Sequence, residues 1–473
     1  MLNRRSLLKA GTAAGVLAAV PAGLVLGTSP KRAAAAATAS FTVPLRVPQP
    51  LKPTRMAAYD VYRLTTREAD VAIVPGTTTR VRSFNGTLSP LIVARRGRPV
   101  VIEQANALDV PFSMHLHGGH VPAHSDGHPN NEVTPGRSRL FHYPNTQLGS
   151  TMWLHDHSHH SHAENIYRGA ATTYLLSDPA EDRLPLPKGQ YDVVLQLRDA
   201  KLAEDGALVY DLNGFNDRPT FLVNGSPRPY FEVAARKYRL RLVNTSQERA
   251  FVLRLGEGDE FTHIATDGGL LPAPVASRVL QLWPAERQEI VVDFSRYPVG
   301  SKIGLQTMQT YPGETPEVMR FDVVRTAEDP SSVPAVLRPA EDLGTPTVER
   351  QFAMAFDQAN NQHTINGKAF DVNRVDFRPK LGTTEIWTIE NKDAAFGIPH
   401  SLHPHLDHFQ IVDRNGKPVG PSEAGMKDTI TVRAGENARI KIKFTEYSGM
   451  YMFHCHLMGH LTMGMMGQME MVR

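Results

Sequence analysis

From Phe41 onward, apolar and polar positions alternate in short runs such as Pro99–Glu103, Tyr191–Leu197, Tyr238–Val243, Glu289–Phe294 and Arg439–Phe444. Neighbouring side chains on a strand point to opposite faces, so this alternation predicts strands with one buried face. Gly, Pro, Asn and Asp break the runs at close intervals. No long stretch repeats its apolar positions with a helical period, so helices should be few and short. Many short strands with frequent turns predict an all-β chain of β-sandwiches.

Two stretches interrupt the pattern and read as linkers. One runs from Ser177 to Leu186, with prolines at 179, 185 and 187 in or beside it; the other, Arg325 to Pro346, holds Pro330, Pro334, Pro339 and Pro346. They leave sandwiches over residues 41–178, 187–326 and 346–473, in keeping with 473 residues at ~150 per domain. Residues 1–40 are different. Arg4-Arg5 is followed by an apolar run from Ala10 to Gly27 broken by Pro21, then Lys31-Arg32 and an alanine run to Ala37. That order is a signal peptide, and the arginine pair points to the twin-arginine route. A membrane anchor is the alternative, but the run is short, weakly apolar and broken by proline. The expectation is a soluble monomer exported to the envelope, the periplasm or the extracellular space.

Composition narrows the chemistry. The 51 basic and 48 acidic residues give +3, far from the positive field of a nucleic-acid binder. Twenty histidines stand against one cysteine, which excludes an internal disulfide, a cysteine zinc finger and a cysteine-ligated iron–sulfur cluster. A thiol outside the cytoplasm oxidises unless it is buried or held by metal. Cys455 is therefore a core residue or a ligand.

An internal repeat bears on that choice. Gly136 precedes His155 by 19 residues and Gly435 precedes His454 by 19, and each segment ends in His-X-His, with Asp156 or Cys455 as X. Another His-X-His comes before each, at His115/His117 and His403/His405. The first and third pieces are thus expected to be copies of one unit. The middle piece has a single histidine, His263, and reads as a metal-free spacer. On a strand, each His-X-His presents two imidazoles on one face, while Cys455 points to the other. A thiolate with two histidines and a weak thioether makes a blue-copper site. His400, His460 and Met465 stand at suitable spacing to complete one. A zinc store is the alternative, although zinc closes with four ligands in one tetrahedron. His159, His160 and His162 read as solvated or rim-lining. Met450, Met452, Met458, Met463, Met466, Met469 and Met471 read as core packing, with a copper(I)-handling surface as the alternative.

These motifs resemble the multicopper oxidase family, within it the three-domain bacterial laccases of spore-coat type. The resemblance rests on HLHGG at 115–119, SDG at 125–127, HYPN at 142–145, WLHDH at 153–157, HSLHPH at 400–405 and HCHLMGHLTMGM at 454–465. LVNG at 222–225, DGGLLP at 267–272 and PAER at 284–287 carry it through the middle piece. It implies three consecutive cupredoxin-like Greek-key sandwiches and four coppers per chain. The type 1 copper takes His400, Cys455, His460 and Met465, and the type 2 copper takes His115 and His403. One type 3 copper takes His117, His155 and His456, the other His157, His405 and His454. The cluster of three then sits between the first and third domains.

The implied reaction takes single electrons from a phenol, aromatic amine or cuprous ion at the type 1 site. It passes them from Cys455 through His454 and His456, and reduces dioxygen to water. A laccase-like oxidase is the leading expectation. A cuprous oxidase, a bilirubin-type or biosynthetic phenol-coupling oxidase, and a non-enzymatic envelope protein are the alternatives; family members of the last kind lack the copper ligands. The sequence departs from the family pattern in two places. HSLHPH lacks the proline that commonly follows the first histidine. Leu461 follows His460 where related bacterial enzymes often carry an acid implicated in proton supply. Asp126, matching an acid near the cluster in similar laccases, is then expected to carry that supply; the competing role is a turn aspartate bonding its own backbone.

Overall fold

The computed structural model describes residues 40–473, so the expected signal peptide lies, except for Ser40, outside the described residues. Among the described residues the regular structure is nearly all strand, arranged as three pairs of sheets. Residues 54–177 form a five- and a four-stranded sheet, 192–326 a seven- and a five-stranded sheet, and 348–471 a six- and a four-stranded sheet. Each pair encloses its own apolar core, around Phe112, Phe141 and Tyr174, around Phe251, Leu253 and Phe321, and around Trp387, Ile440 and Tyr451. Only two α-helices are present among the described residues, His162–Tyr167 and Met458–Thr462. None is long and apolar enough to cross a membrane.

The same local pattern recurs in all three units. A parallel strand pair opens each one: Asp60–Val71 with Val100–Asn106, Asp192–Ala200 with Lys237–Asn244, and Val348–Asp357 with Thr384–Asn391. The second strand then pairs antiparallel with Ser138–Tyr143, Arg287–Asp293 or Asn437–Lys443. The first strand of each pair is anchored by an Asn-Gly turn, at Asn85-Gly86, Asn224-Gly225 and Asn366-Gly367, whose residues all take positive φ as such turns require. Asn85, Asn224 and Asn366 accept the N–H of Thr65, Gln196 and Ala353 at 2.7–2.8 Å. Asn106, Asn244 and Asn391 end the second strands, and each side-chain amide donates to two backbone carbonyls. The middle unit is therefore a third copy of the architecture, one that has no histidine pairs.

An apolar cluster with Trp153, Val243, Met452, Met458 and Leu461 draws on all three units. The proline-rich stretch between the second and third units has no regular structure and is pinned: Leu337 is buried, and Ser332 donates to the Pro185 carbonyl at 2.7 Å.

Candidate metal centres

The four His-X-His segments converge between the first and third units. Strand Met114–His117 pairs with Ser150–Asp156 so that His115 stands opposite His155. Strand His400–Pro404 pairs with Gly449–Cys455 so that His403 stands opposite His454. His157 and His456 lie one residue past their strands and are held alike, His157 N–H donating to Ser113 carbonyl at 2.7 Å and His456 N–H to Ser401 carbonyl at 2.6 Å. All eight imidazoles are buried.

Hydrogen bonds fix which ring nitrogen faces inward in six of the eight. Nδ1–H of His115, His155, His403 and His454 donates to the carbonyls of Asp126, Asp156, Asp428 and Cys455 at 2.6–2.9 Å. His405 donates through Nδ1 to Asp126 Oδ2 at 2.7 Å, and His117 through Nε2 to Asp428 Oδ1 at 3.0 Å. The inward nitrogens Nε2 of His115, His155 and His403 and Nδ1 of His117 have no partner, nor does either nitrogen of His456. Nε2 of His157 and of His405 face Nε2 of His454 at 3.1 and 3.2 Å. Burial holds all eight rings below the ordinary histidine pKa, so they are neutral with free lone pairs. Buried lone pairs aimed at one another are costly without a cation between them, so this donor set fits metal.

Ring orientation divides the set. A metal bond lies in the imidazole plane, so two rings stacked face to face cannot share one ion. His115 stacks on His405 at 3.9 Å and 19°, and His117 on His403 at 3.8 Å and 11°. The close groups His115/His117/His403 and His115/Asp126/His405 each contain a stacked pair and are not single-ion sites. The two close trios without a stacked pair in this set are His117/His155/His456 and His157/His405/His454, whose rings meet edge-on or tilted; His115 and His403 meet at 63°, one of several further edge-on pairs.

Two aspartates hold the set together with pseudo-twofold logic. Asp126 accepts His115 on its carbonyl and His405, from the third unit, on its carboxyl; Asp428 accepts His403 on its carbonyl and His117, from the first unit, on its carboxylate. Their charges differ. Burial pushes Asp126 well above the usual carboxyl range, with no cation to oppose it. Burial also opposes ionisation of Asp428, but the Arg287 guanidinium and His117 outweigh it and hold the carboxyl well below that range. Arg287 belongs to the middle unit, and both its terminal nitrogens bond Asp428.

On the opposite face of strand Gly449–Cys455 lies the second centre. Cys455 is buried and free, its Sγ 3.5 Å from His460 Nδ1 and accepting the Ser401 N–H at 3.3 Å. His400 Nδ1 is 3.2 Å from His460 Nδ1, and His400 Nε2 donates to Asp393 at 2.8 Å. Met465 is buried; its N–H donates to the His460 carbonyl and its carbonyl accepts the Cys455 N–H, both at 3.0 Å. Burial pushes the Cys455 thiol up to about 12, so metal binding must displace its proton. In the first unit, the matching Asp156 accepts four hydrogen bonds, from Ser113, Asn165 and twice from Ser158. That leaves no spare donor for a metal there.

Four further groups did not enter the reading by spacing: Asp428, Arg287 and His363, whose partners lie far along the chain or on another unit, and Asp393, which stands seven residues before its partner His400. His159 and His160 are exposed as expected, but His162 is buried, bonded to Ser158 carbonyl and Thr462 hydroxyl. His263 is a core residue of the middle unit, bonded to Ala265 carbonyl.

Multicopper oxidase sequence profiles match residues 65–181 and 344–472. The chain is 32% identical over 510 residues to the laccase of Bacillus subtilis (strain 168), spanning 91% of this chain and 98% of that one. It is 35% identical over 461 residues to the bilirubin oxidase of Albifimbria verrucaria, spanning 89% and 79%. The solved laccase of Pediococcus acidilactici Pa5930 superposes with a TM-score of 0.85 at 32% identity, covering 93% and 95% of the two chains.

Proposed function

Because this chain belongs to the multicopper oxidase family and is an oxidoreductase, we propose that it is an exported laccase-like oxidase of phenols and aromatic amines with dioxygen as acceptor. His400, Cys455, His460 and Met465 would hold a type 1 copper, and His115 with His403 a type 2 copper. The two groups of three histidines would hold the type 3 pair. The observation that carries this reading is the set of inward imidazole nitrogens without protein partners, joined through His454 and His456 to the thiol between them. Bound copper would supply the one-electron oxidations and the four-electron reduction of dioxygen to water.

The protein's own part is to hold ligands, exclude water and deliver protons. Leu461 is buried in the apolar cluster between the units and delivers none. Asp126 is placed to do so. Its carboxyl bonds His405, not its own backbone, its Oδ1 has no partner, and burial keeps it protonated. Substrate class rests on the methionines. Met452, Met458, Met466, Met469 and Met471 are buried and Met450 and Met463 half-buried, which takes most of the seven out of any cuprous-ion surface and favours the phenol reading. The paired arginines at Arg4-Arg5 support export by the twin-arginine route to the envelope or beyond. Steady-state rates of the copper-loaded protein on a phenol, on bilirubin and on cuprous ion test the proposal. Faster turnover of the phenol is expected, and preference for either competitor would replace it.

A further inference from the structure

His363 lies on strand Gln362–Ile365, and its N–H donates to the Met463 carbonyl at 3.1 Å, tying that strand to the loop after His460. Its ring is 5% exposed and lies face to face with His460, centroids 3.9 Å apart and planes 20° from parallel. Towards His400 it is edge-on, at 5.8 Å and 76°. Nδ1 of His363 has no partner, and one ring nitrogen each of His363, His400 and His460 lie within 4.8 Å of one another, which makes the three a candidate metal trio. The stack argues against that trio, because lone pairs of near-parallel rings do not meet on one ion. Two other ring pairs within 4 Å among the described residues, His115/His405 and His117/His403, join imidazoles assigned to different ions. His363 therefore acts on a ligand without being one.

His460 needs such support. The outer nitrogen of His400 is held by Asp393 at 2.8 Å, whereas among the described residues no group hydrogen-bonds Nε2 of His460. His460 is also half-buried, on the five-residue helix Met458–Thr462. Without a constraint its ring would turn about its last torsion and carry Nδ1 away from Cys455 Sγ. We propose that His363 is a positioning residue of the Cys455 centre, its ring clamping one face of His460 and keeping Nδ1 aimed at the thiolate, the task Asp393 performs for His400. The inference rests on the type 1 assignment made above.

Two substitutions in the copper-loaded full chain separate the roles. His363→Leu fills the space without a planar ring, and His363→Phe restores a ring without a nitrogen. The readouts are the blue absorption and copper hyperfine splitting at the Cys455 centre, and the rate at which a copper(I) chelator strips that centre. Stripping should be ~10-fold faster in His363→Leu, the range seen when a group orienting a metal ligand is lost, with an altered spectrum. His363→Phe should match the parent in both. The proposal is overturned if Leu behaves as the parent, or if Phe strips as fast as Leu or loses the blue band, which would make His363 a ligand. A parent protein that is not blue when loaded would instead overturn the type 1 assignment itself.

Discussion

Asp126 and Asp428 occupy equivalent posts, yet burial pushes the Asp126 carboxyl well above the usual range while the Arg287 guanidinium holds Asp428 well below it. In the proposed copper assignment Asp126, beside His115 and His405, is the proton donor, and Asp428, paired with Arg287, is a fixture. Asp126→Asn keeps an acceptor for His405 and removes the proton. The variant should keep its copper and blue colour, accept electrons normally, and be reoxidised by dioxygen at least ~10-fold more slowly, within the span of general acid effects. Reoxidation in stopped flow equal to the parent from acidic to neutral pH would reduce Asp126 to a holder of His405. The histidine pairs that converge here were legible in the sequence because His-X-His places two side chains on one face by local geometry alone. The groups that orient them were not. His117 and Asp428 are 311 residues apart, and nothing around Asp428 announces the contact.

Among the elements, the short helix Met458–Thr462 is the one most dependent on its surroundings, being too short to hold itself. The middle unit holds its first turn: Gln247 carbonyl accepts the Met458 N–H at 3.1 Å and Glu248 accepts the Gly459 N–H at 2.6 Å. Gly459 leaves room for this, since a Cβ there would sit 2.9 Å from the Glu248 carboxylate. Burial raises Glu248 from 4.5 to about 7, the Gly459 hydrogen bond opposing only part of the shift. Its folded pKa lies above its unfolded one, so the folded state retains a proton that the unfolded chain loses. The contribution of Glu248 to the stability of the copper-free protein should therefore fall as pH rises from 4.5 to about 7, against the opposite contribution of the eight buried neutral histidines. Glu248→Gln keeps the acceptor and removes the titration, so in urea unfolding its stability should gain relative to the parent as pH rises over that window. An identical slope would mean that Glu248 ionises freely. Strand alternation was legible; this clamp was not, because it links a loop of one unit to a helix of another. The Asn-Gly turns at 85, 224 and 366 did stand in the sequence, but the histidine pairs mark only two of the three copies.

At the scale of the molecule, the middle unit is more than the spacer its lack of histidine pairs suggests. Arg287 is fully buried and bonds Asp428, the Thr151 carbonyl and the Asp267 carbonyl, so one guanidinium touches all three units. Lys427 bonds Asp267 at 2.9 Å and Glu286 at 3.2 Å beside it. Arg287→Met would leave Asp428 buried without its cation, a change that typically costs ~3–5 kcal/mol. Chemical unfolding at neutral pH should show a loss of that order, and a loss below ~0.5 kcal/mol would mean that solvent reaches Asp428. Every role proposed for these residues requires that the buried thiol and the histidines about it hold copper. The most direct measurement is copper content with the visible spectrum of the loaded protein and of Cys455→Ser. About four coppers and a blue band are expected for the parent, and about three with no blue band for a folded variant, since the charge-transfer colour needs the thiolate. A Cys455→Ser protein that stays blue, or a parent that takes up copper without colour, would contradict it.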